Sequence, residues 1–324
     1  MKSIVVGLGI QGHKRKRIAG DDCAATVDPA GGDADYRAIE DVPLDAYDAA
    51  LVCTPDGAKL PLLEYLLSHG KHVLVEKPLI AGSRDKLERL RDLSEQNGAV
   101  CYTAYNHRFE PNLAHLKRVL DEGRIGKPYL ARMFYGNGTA ADVRRSPWRD
   151  QGLGVIPDLG SHLLDLVDFL FGRPEQPLEI WAANRLENNA FDHALLGCGT
   201  GTLYGTGTRR ADASTLAIQL EMTLLSWRNS FYCEVFAEQG SAHVDCLCKW
   251  GPSTLTIRQR IFPSGKPTEE RFVVERPDPT WALEYEHFKR LCQTGGTNID
   301  TDIWIDSIFT SLHSQLGGTA AWAA

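Results

Sequence analysis

The sequence predicts an α/β protein in two parts: a doubly wound parallel sheet over residues 1–121, then a second α/β domain over 122–324 built on an antiparallel or mixed sheet. Three observations predict it. The length, 324 residues, allows about two domains of roughly 150 residues each. Up to about residue 108, short apolar runs alternate with helical patterns, the signature of a parallel sheet covered on both faces. Beyond a helix at 111–122 the chain changes to strand candidates joined by turn-rich segments.

In the first part the strand candidates are 3–6, 24–27, 49–53, 72–75 and 100–105. Helices are expected between several of them, notably at 59–68 and 84–97. In the first of these Leu60, Leu63, Leu66 and Leu67 recur at helical spacing. In the second part strands are expected at 129–135, 178–184, 215–227, 230–238, 242–249, 254–261 and 271–274. Turns such as Gly251-Pro252-Ser253 and Pro263-Ser264-Gly265 separate them, and helices at 281–293 and 301–316 close the chain.

Composition excludes several classes. Hydrophobic residues at 43% and charged residues at 24% rule out a disordered, collagen-like or disulfide-scaffold chain. A formal charge of −7 gives no global attraction to phosphate backbones, so nucleic acid is not an expected partner. The eight cysteines lack metal-ligand spacing and read as free thiols in a reducing compartment. The apolar run after Met1 breaks at Gly7, Gly9 and Gly12 without a cleavage site, and no stretch approaches the ~20 apolar residues that span a bilayer. The expectation is a cytoplasmic protein with neither a metal nor a membrane partner.

Gly7-Leu8-Gly9-Ile10-Gln11-Gly12 is a G-x-G-x-x-G segment directly after the first strand, opening a helix. The first glycine permits a tight turn, the second a close approach of backbone to pyrophosphate, and the third close helix–strand packing. The helix N-terminus adds N–H groups and positive potential. Asp28, at the end of the second strand, is placed to accept hydrogen bonds from a ribose diol and to repel a 2′-phosphate, favouring NAD over NADP. A methyltransferase that binds S-adenosylmethionine shares a glycine turn and an acidic strand end, so these residues alone leave the cofactor open. The basic run at 13–17 reads as a solvated helix face, with a phosphate contact as the alternative.

Glu76-Lys77-Pro78 follows the fourth strand, at the sheet edge where open α/β folds bind ligands. Asp158-Leu159-Gly160-Ser161-His162 reads as the start of a helix on which Asp158 and His162, four apart, share a face, with Asp165 as another possible neighbour of His162.

Taken together, these segments resemble the glucose-fructose oxidoreductase / inositol dehydrogenase (Gfo/Idh/MocA) family. The carrying residues are GLGIQG at 7–12, VDP at 27–29, CTPD at 53–56, VEKP at 75–78, YNHRFEP at 105–111, GKPY at 126–129 and GVIPDLGSHLLD at 154–165. The match runs in order through the first 170 residues and continues in general character beyond them. The resemblance implies a Rossmann domain followed by a substrate-binding and oligomerisation domain on a large, mostly antiparallel sheet. It implies an NAD(P)-dependent oxidoreductase acting on a secondary alcohol or ketone of a sugar or polyol, associating as a homodimer or homotetramer through the open sheet face.

By the same resemblance Lys77, Asp158 and His162 are the catalytic residues. Gly7, Gly9, Ile10, Gln11, Gly12, Asp28, Thr54, Pro55, Glu76, Lys77 and Asn106 hold the cofactor. Asn106 joins the catalytic three around substrate; Arg149, read from its place just upstream of the catalytic helix and not from the resemblance, is a substrate partner if the substrate is anionic. The Lys77–Pro78 bond is expected to be cis. A histidine taking the hydroxyl proton while hydride leaves for nicotinamide fits the chemistry of alcohol oxidation.

The sequence departs from the family after Thr54-Pro55, where Asp56, Gly57, Ala58 and Lys59 stand in place of a segment that often carries histidine. The stretch 184–210, with five glycines and the Asp192-His193 pair, matches no specificity signature; His193 reads as a loop residue. Two other functions compete: a glycosidase that oxidises its sugar transiently with held NAD, and a non-catalytic NAD-binding sensor.

Overall fold

The computed structural model describes residues 1–199 and 216–318. In chain order the elements are β1 (Ser3–Val6), α1 (Ile10–Ala19), β2 (Cys23–Val27), β3 (Ala49–Val52), α2 (Asp56–Ser68), β4 (His72–Glu76), α3 (Arg84–Gln96), β5 (Cys101–Ala104), α4 (Pro111–Asp121), β6 (Pro128–Gly136), α5 (Ala140–Arg144), α6 (Val155–Asp158) and α7 (Gly160–Phe171). They continue with β7 (Glu179–Asn184), β8 (His193–Cys198), β9 (Ala217–Thr223), β10 (Ser230–Ala237), β11 (Gly240–Asp245), β12 (Ser253–Gln259), β13 (Thr268–Val274), α8 (Thr280–Thr294) and α9 (Ile299–Gln315).

Two compact units result. One is Met1–Asn106 with Thr280–Thr310; the other comprises the described residues of His107–Pro279 and those from Ser311 on. The division falls ahead of residue 121 because α4 packs on β11, β12 and α7. The chain returns to the first unit through its last two helices.

In the first unit five parallel strands run in the order β2-β1-β3-β4-β5. Alternate side chains serve opposite faces. Ile4, Val6, Ala50 and Val52 pack with Leu63, Leu66 and Leu67 of α2, Leu87 and Leu90 of α3, and Ile299 and Ile303 of α9. Val5, Ala49, Leu51 and Leu74 pack with Ala19 of α1 and with Tyr285 and Phe288 of α8. Because both faces are covered, the strands are continuous apolar runs, which made them legible. The order reverses between β1 and β3, and at such a switch point the carboxyl ends of the strands open a crevice. The glycine loop leaves β1 there, and Thr54-Pro55 leaves β3.

In the second unit eight strands run in the order β13-β12-β11-β10-β6-β9-β8-β7, antiparallel except for β6–β9. One face is buried. Ala131, Met133 and Tyr135 of β6, Leu220 and Met222 of β9 and Phe231, Cys233 and Val235 of β10 alternate with outward polar residues such as Arg132, Glu221 and Glu234. The sequence reading missed β8, since Gly197 interrupts its pattern. On the sheet Trp181 of β7 covers Gly197, leaving no room for a side chain there and supplying the packing the glycine lacks. Of the other glycines of that stretch, Gly199 is described, with φ +77°, whereas Gly201, Gly205 and Gly207 lie outside the described residues, as does the start of the strand expected at 215. Among the described residues no helix is long and apolar enough to cross a membrane.

Candidate active site

In the first unit the glycine loop has the geometry its spacing implies. Gly7 has φ +91°, and a Cβ there would lie 2.7 Å from the carbonyl oxygen of Cys53. A Cβ on Gly12 would sit 1.8 Å from the carbonyl oxygen of Gly7, so α1 approaches the loop as closely as backbone allows. Gly9, the residue before α1, differs: nothing lies within 4 Å of where its Cβ would be. That open side, the exposed Ile10 and Gln11 and the absence of any acidic residue in the first turn of α1 leave the helix N-terminus fit for a diphosphate.

The Asp28 carboxylate accepts the N–H of Leu8 at 2.7 Å and that of Ala30 at 2.9 Å. It therefore ties β2 to the glycine loop, and a carboxylate with about four acceptor sites retains capacity for a ribose diol. Thr54 Oγ1 is buried without a hydrogen-bond partner among the described residues, as a group awaiting a ligand would be. These features fit a dinucleotide. Asn106 is buried, and its amide donates to Thr280 Oγ1 at 2.8 Å.

The structure recasts Glu76 and the basic run. Glu76 accepts the Nε–H of Arg15 at 2.7 Å, and Arg15 Nη2 also donates to Glu284 at 2.7 Å. Arg15 is 1% exposed, so the basic run is not uniformly a solvated face. Gly12, Arg15 and Ala19 form the inward stripe of α1, while His13, Lys16 and Arg17 are exposed and Lys14 lies over the ring of Trp281. Lys59 is buried, donating to Asp56 Oδ1 and to the carbonyl of Pro78, each at 2.7 Å. The Lys77–Pro78 peptide bond is cis. Lys77 itself is half-buried.

In the second unit the expected single helix is broken: α6 ends at Asp158, Leu159 intervenes, and α7 begins at Gly160. Asp158 is part-exposed, and Arg149 Nη2 lies 3.5 Å from its Oδ2, so this guanidinium already faces a carboxylate. His162, in the first turn of α7, is 6% exposed. Asp165 does not serve it. Arg108 clasps Asp165 with Nε at 2.8 and 2.9 Å from the two carboxylate oxygens and Nη2 at 2.6 Å, and it reaches Asp168 at 3.5 Å. Full burial of Asp165 outweighs the pull of Arg108 and pushes its carboxyl up to about 6.

That clasp anchors the residue next to Arg108, His107, whose ring centre lies 3.9 Å from that of His162. Lys249 Nζ stands 3.3 Å from His107 Nε2 and donates to the Tyr135 hydroxyl at 3.0 Å. A lysine ammonium only donates, so in this contact His107 Nε2 is the acceptor. Trp250 edges onto Tyr135 and lies under Lys249. His107 stands within YNHRFEP, and nothing in the sequence marks it, Tyr135 or Lys249 as neighbours of His162. No spacing signals a contact made 114 or 142 residues away. His193, part-buried at the start of β8, pairs across the sheet with Asn184 and Thr223. Its neighbour Asp192 is buried and accepts the N–H groups of Leu186, Glu187 and Asn188, holding that loop closed.

Residues 5–105 match the oxidoreductase family with an NAD-binding Rossmann fold, and residues 113–243 match the GFO/IDH/MocA C-terminal domain. The chain belongs to the Gfo/Idh/MocA family. This Gfo/Idh/MocA protein is 25% identical to scyllo-inositol 2-dehydrogenase (NAD(+)) of Bacillus subtilis, over 94% of this chain and 89% of that one. It is 30% identical to levoglucosan dehydrogenase of Pseudarthrobacter phenanthrenivorans over 47% of this chain and 43% of that relative. Among solved structures, levoglucosan dehydrogenase in complex with NADH superposes with a TM-score of 0.79 at 16% identity, covering 98% of this chain and 97% of that one. UDP-N-acetylglucosamine 3-dehydrogenase from Acidithiobacillus ferrooxidans gives 0.75 at 18% identity, covering 100% and 99%. At such identities the structural likeness speaks for the fold.

Proposed function

We propose that this Gfo/Idh/MocA protein is an NAD-dependent dehydrogenase that oxidises a secondary alcohol of a polyol or sugar, or reduces the corresponding ketone. The observation that carries the reading is the nucleotide loop: open space at Gly9 for a diphosphate, with the Asp28 carboxylate beside the loop where a ribose diol is accepted and a 2′-phosphate repelled. The relatives named as inositol and levoglucosan dehydrogenases support the polyol or sugar as substrate class.

Bound NAD supplies the carbon that accepts the hydride. Gly7, Gly9, Ile10, Gln11 and Gly12 would hold its diphosphate, Asp28 its ribose, and Thr54, Pro55 and Asn106 its remaining polar groups. Glu76 acts through its ion pair with Arg15. His162 takes the hydroxyl proton as the C–H bond breaks, with water excluded by Tyr135 and His107 around its ring. Lys77 donates to the alcohol oxygen as negative charge develops there. Asp158 accepts from neighbouring substrate hydroxyls, and Arg149, beside it, moderates its charge.

The eight free thiols support a cytoplasmic location. The open sheet face, with Phe134 stacked on Tyr232 and Arg132 over Phe236, supports a homodimer or homotetramer.

The test is absorbance of reduced nicotinamide with polyols, sugars, sugar phosphates and nucleotide sugars, with NAD and then NADP. A rise with NAD that is abolished in His162→Ala and Lys77→Ala, with NAD binding retained, is expected. Near-normal turnover in both variants refutes these roles. Release of an aglycone without net NADH points to the transient-oxidation glycosidase instead.

A further inference from the structure

The two residues that flank Lys77 in the chain are each held by a buried cation. Before it, Glu76 receives Arg15, which is 1% exposed; after it, the carbonyl of Pro78 receives the ammonium of Lys59, which is 2% exposed. We propose that Arg15 and Lys59 are positioning residues that fix Lys77 from both sides, Lys59 by gripping backbone and Arg15 by gripping a side chain. The proposal rests on the catalytic reading of Lys77 given above.

The contacts are of a kind that sets geometry. A desolvated ammonium demands strong acceptors, and Lys59 has two, Asp56 Oδ1 and Pro78 O, each at 2.7 Å. The Asp56 side chain is 47% exposed, so Lys59 is not needed to neutralise a buried acid there. What burial of Lys59 gains is a fixed link between the first turn of α2 and the segment 76–78. Arg15 performs the matching task from α1. Its guanidinium is itself fixed on the far side by Glu284, which is wholly buried, so Glu76 is bonded to a group that has little freedom to move. Both cations stand on helices that open with cofactor-contacting segments, α1 with the glycine loop and α2 directly after Thr54-Pro55. The arrangement thereby ties the residue that would hold the reacting oxygen to the elements that would hold the cofactor. Misplacement of a reacting group by about 1 Å costs on the order of 10²-fold in rate. A link of this kind therefore bears on turnover and leaves cofactor affinity largely alone.

The experiment uses the full-length protein as Lys59→Met, Lys77→Ala and the double variant. Hydrogen exchange followed by mass spectrometry is read on the peptide spanning residues 74–82, with and without NAD. Exchange there is expected to quicken at least about fivefold in Lys59→Met, with the β5 and α7 peptides unchanged; unchanged exchange at 74–82 overturns the link whether or not a substrate is in hand. Turnover is read with scyllo-inositol and NAD. Lys59→Met is expected to lower kcat by about 10- to 100-fold with NAD affinity within about twofold. In the Lys77→Ala background the same substitution is expected to change the residual rate less than about twofold, because a residue acting through Lys77 has nothing left to act on. An equal effect in both backgrounds means general damage and overturns the proposal. Near-normal turnover of Lys77→Ala overturns the catalytic reading itself, an outcome distinct from unchanged exchange.

Discussion

Alanine at Gly9 and alanine at Gly12 are expected to fail in opposite ways. At Gly12 the new methyl would lie 1.8 Å from the carbonyl oxygen of Gly7 and 2.9 Å from its carbon, both backbone atoms. Neither can rotate away, so α1 or the loop must shift, at the cost of an overpacked core position, about 1–3 kcal/mol. At Gly9 φ is −68° and ψ −169°, ordinary for any L-residue, and the methyl meets nothing within 4 Å. Loss of glycine's freedom in the unfolded chain then stabilises the protein by about 0.4–1 kcal/mol. The Gly9 methyl would, however, occupy the side from which a pyrophosphate approaches. NAD affinity should fall at least tenfold, about 1.4 kcal/mol. Thermal unfolding without nucleotide, paired with titration of NADH fluorescence, separates the two effects. Gly9→Ala should unfold no earlier than the parent and bind poorly, whereas Gly12→Ala should unfold early. A Gly9→Ala protein that binds NADH like the parent would refute the placement of the diphosphate, and a Gly12→Ala protein of unaltered stability would refute the packing argument.

Three further outcomes are expected. Arg15→Met leaves Glu76 and Glu284 facing each other without their cation and should cost about 3–5 kcal/mol in urea unfolding, with parental stability counting against the buried pair. Asp165, held up to about 6 by burial, keeps its proton in the folded protein at pH values where the unfolded chain has lost it, so its contribution to stability falls as pH rises from about 4 through 6. Asp165→Asn should match the parent best near pH 4 and gain on it by about 3 kcal/mol by pH 7, read from urea midpoints, and a pH-independent difference would contradict the shift. Asp28→Ser should lower kcat/KM with NAD and raise it with NADP, and an unchanged preference would show that another residue selects the cofactor.

What was legible in the sequence follows from where each signal resides. The parallel sheet could be read because burial on both faces makes each strand a continuous apolar run, and the glycine loop because its constraints are local: Gly7 and Gly12 are required by atoms of the same turn and the next strand. The edge region of the large sheet was harder. The strand β8 carries Gly197, whose missing side chain is replaced by Trp181 on a neighbouring strand, a compensation visible only once the two are paired. The break between α6 and α7 was also hidden, since Asp158 and His162 keep helical spacing across Leu159. The partners of His162 came from afar: Lys249, just after β11, reaches His107 and the Tyr135 hydroxyl on β6 although β10 stands between those two strands in the sheet.

The basic run at 13–17 shows why charge is a poor guide to exposure. The run was expected to be a solvated face; Gly12, Arg15 and Ala19 are spaced to face inward, yet arginine at the middle position reads as solvent-facing by type. Burying a guanidinium is costly unless its donors are met by acceptors of opposite charge. Here those acceptors are Glu76 and Glu284, separated from Arg15 by 61 and 269 positions. Either glutamate alone, seen in sequence, is as easily a surface residue as Arg15 is. The three justify one another only together, and Glu284 reaches them because α8 returns to pack on the first sheet through Tyr285 and Phe288. A chain truncated before α8 should therefore lose an apolar face and also leave Arg15 half-paired, which would loosen Glu76 and with it the segment that carries Lys77.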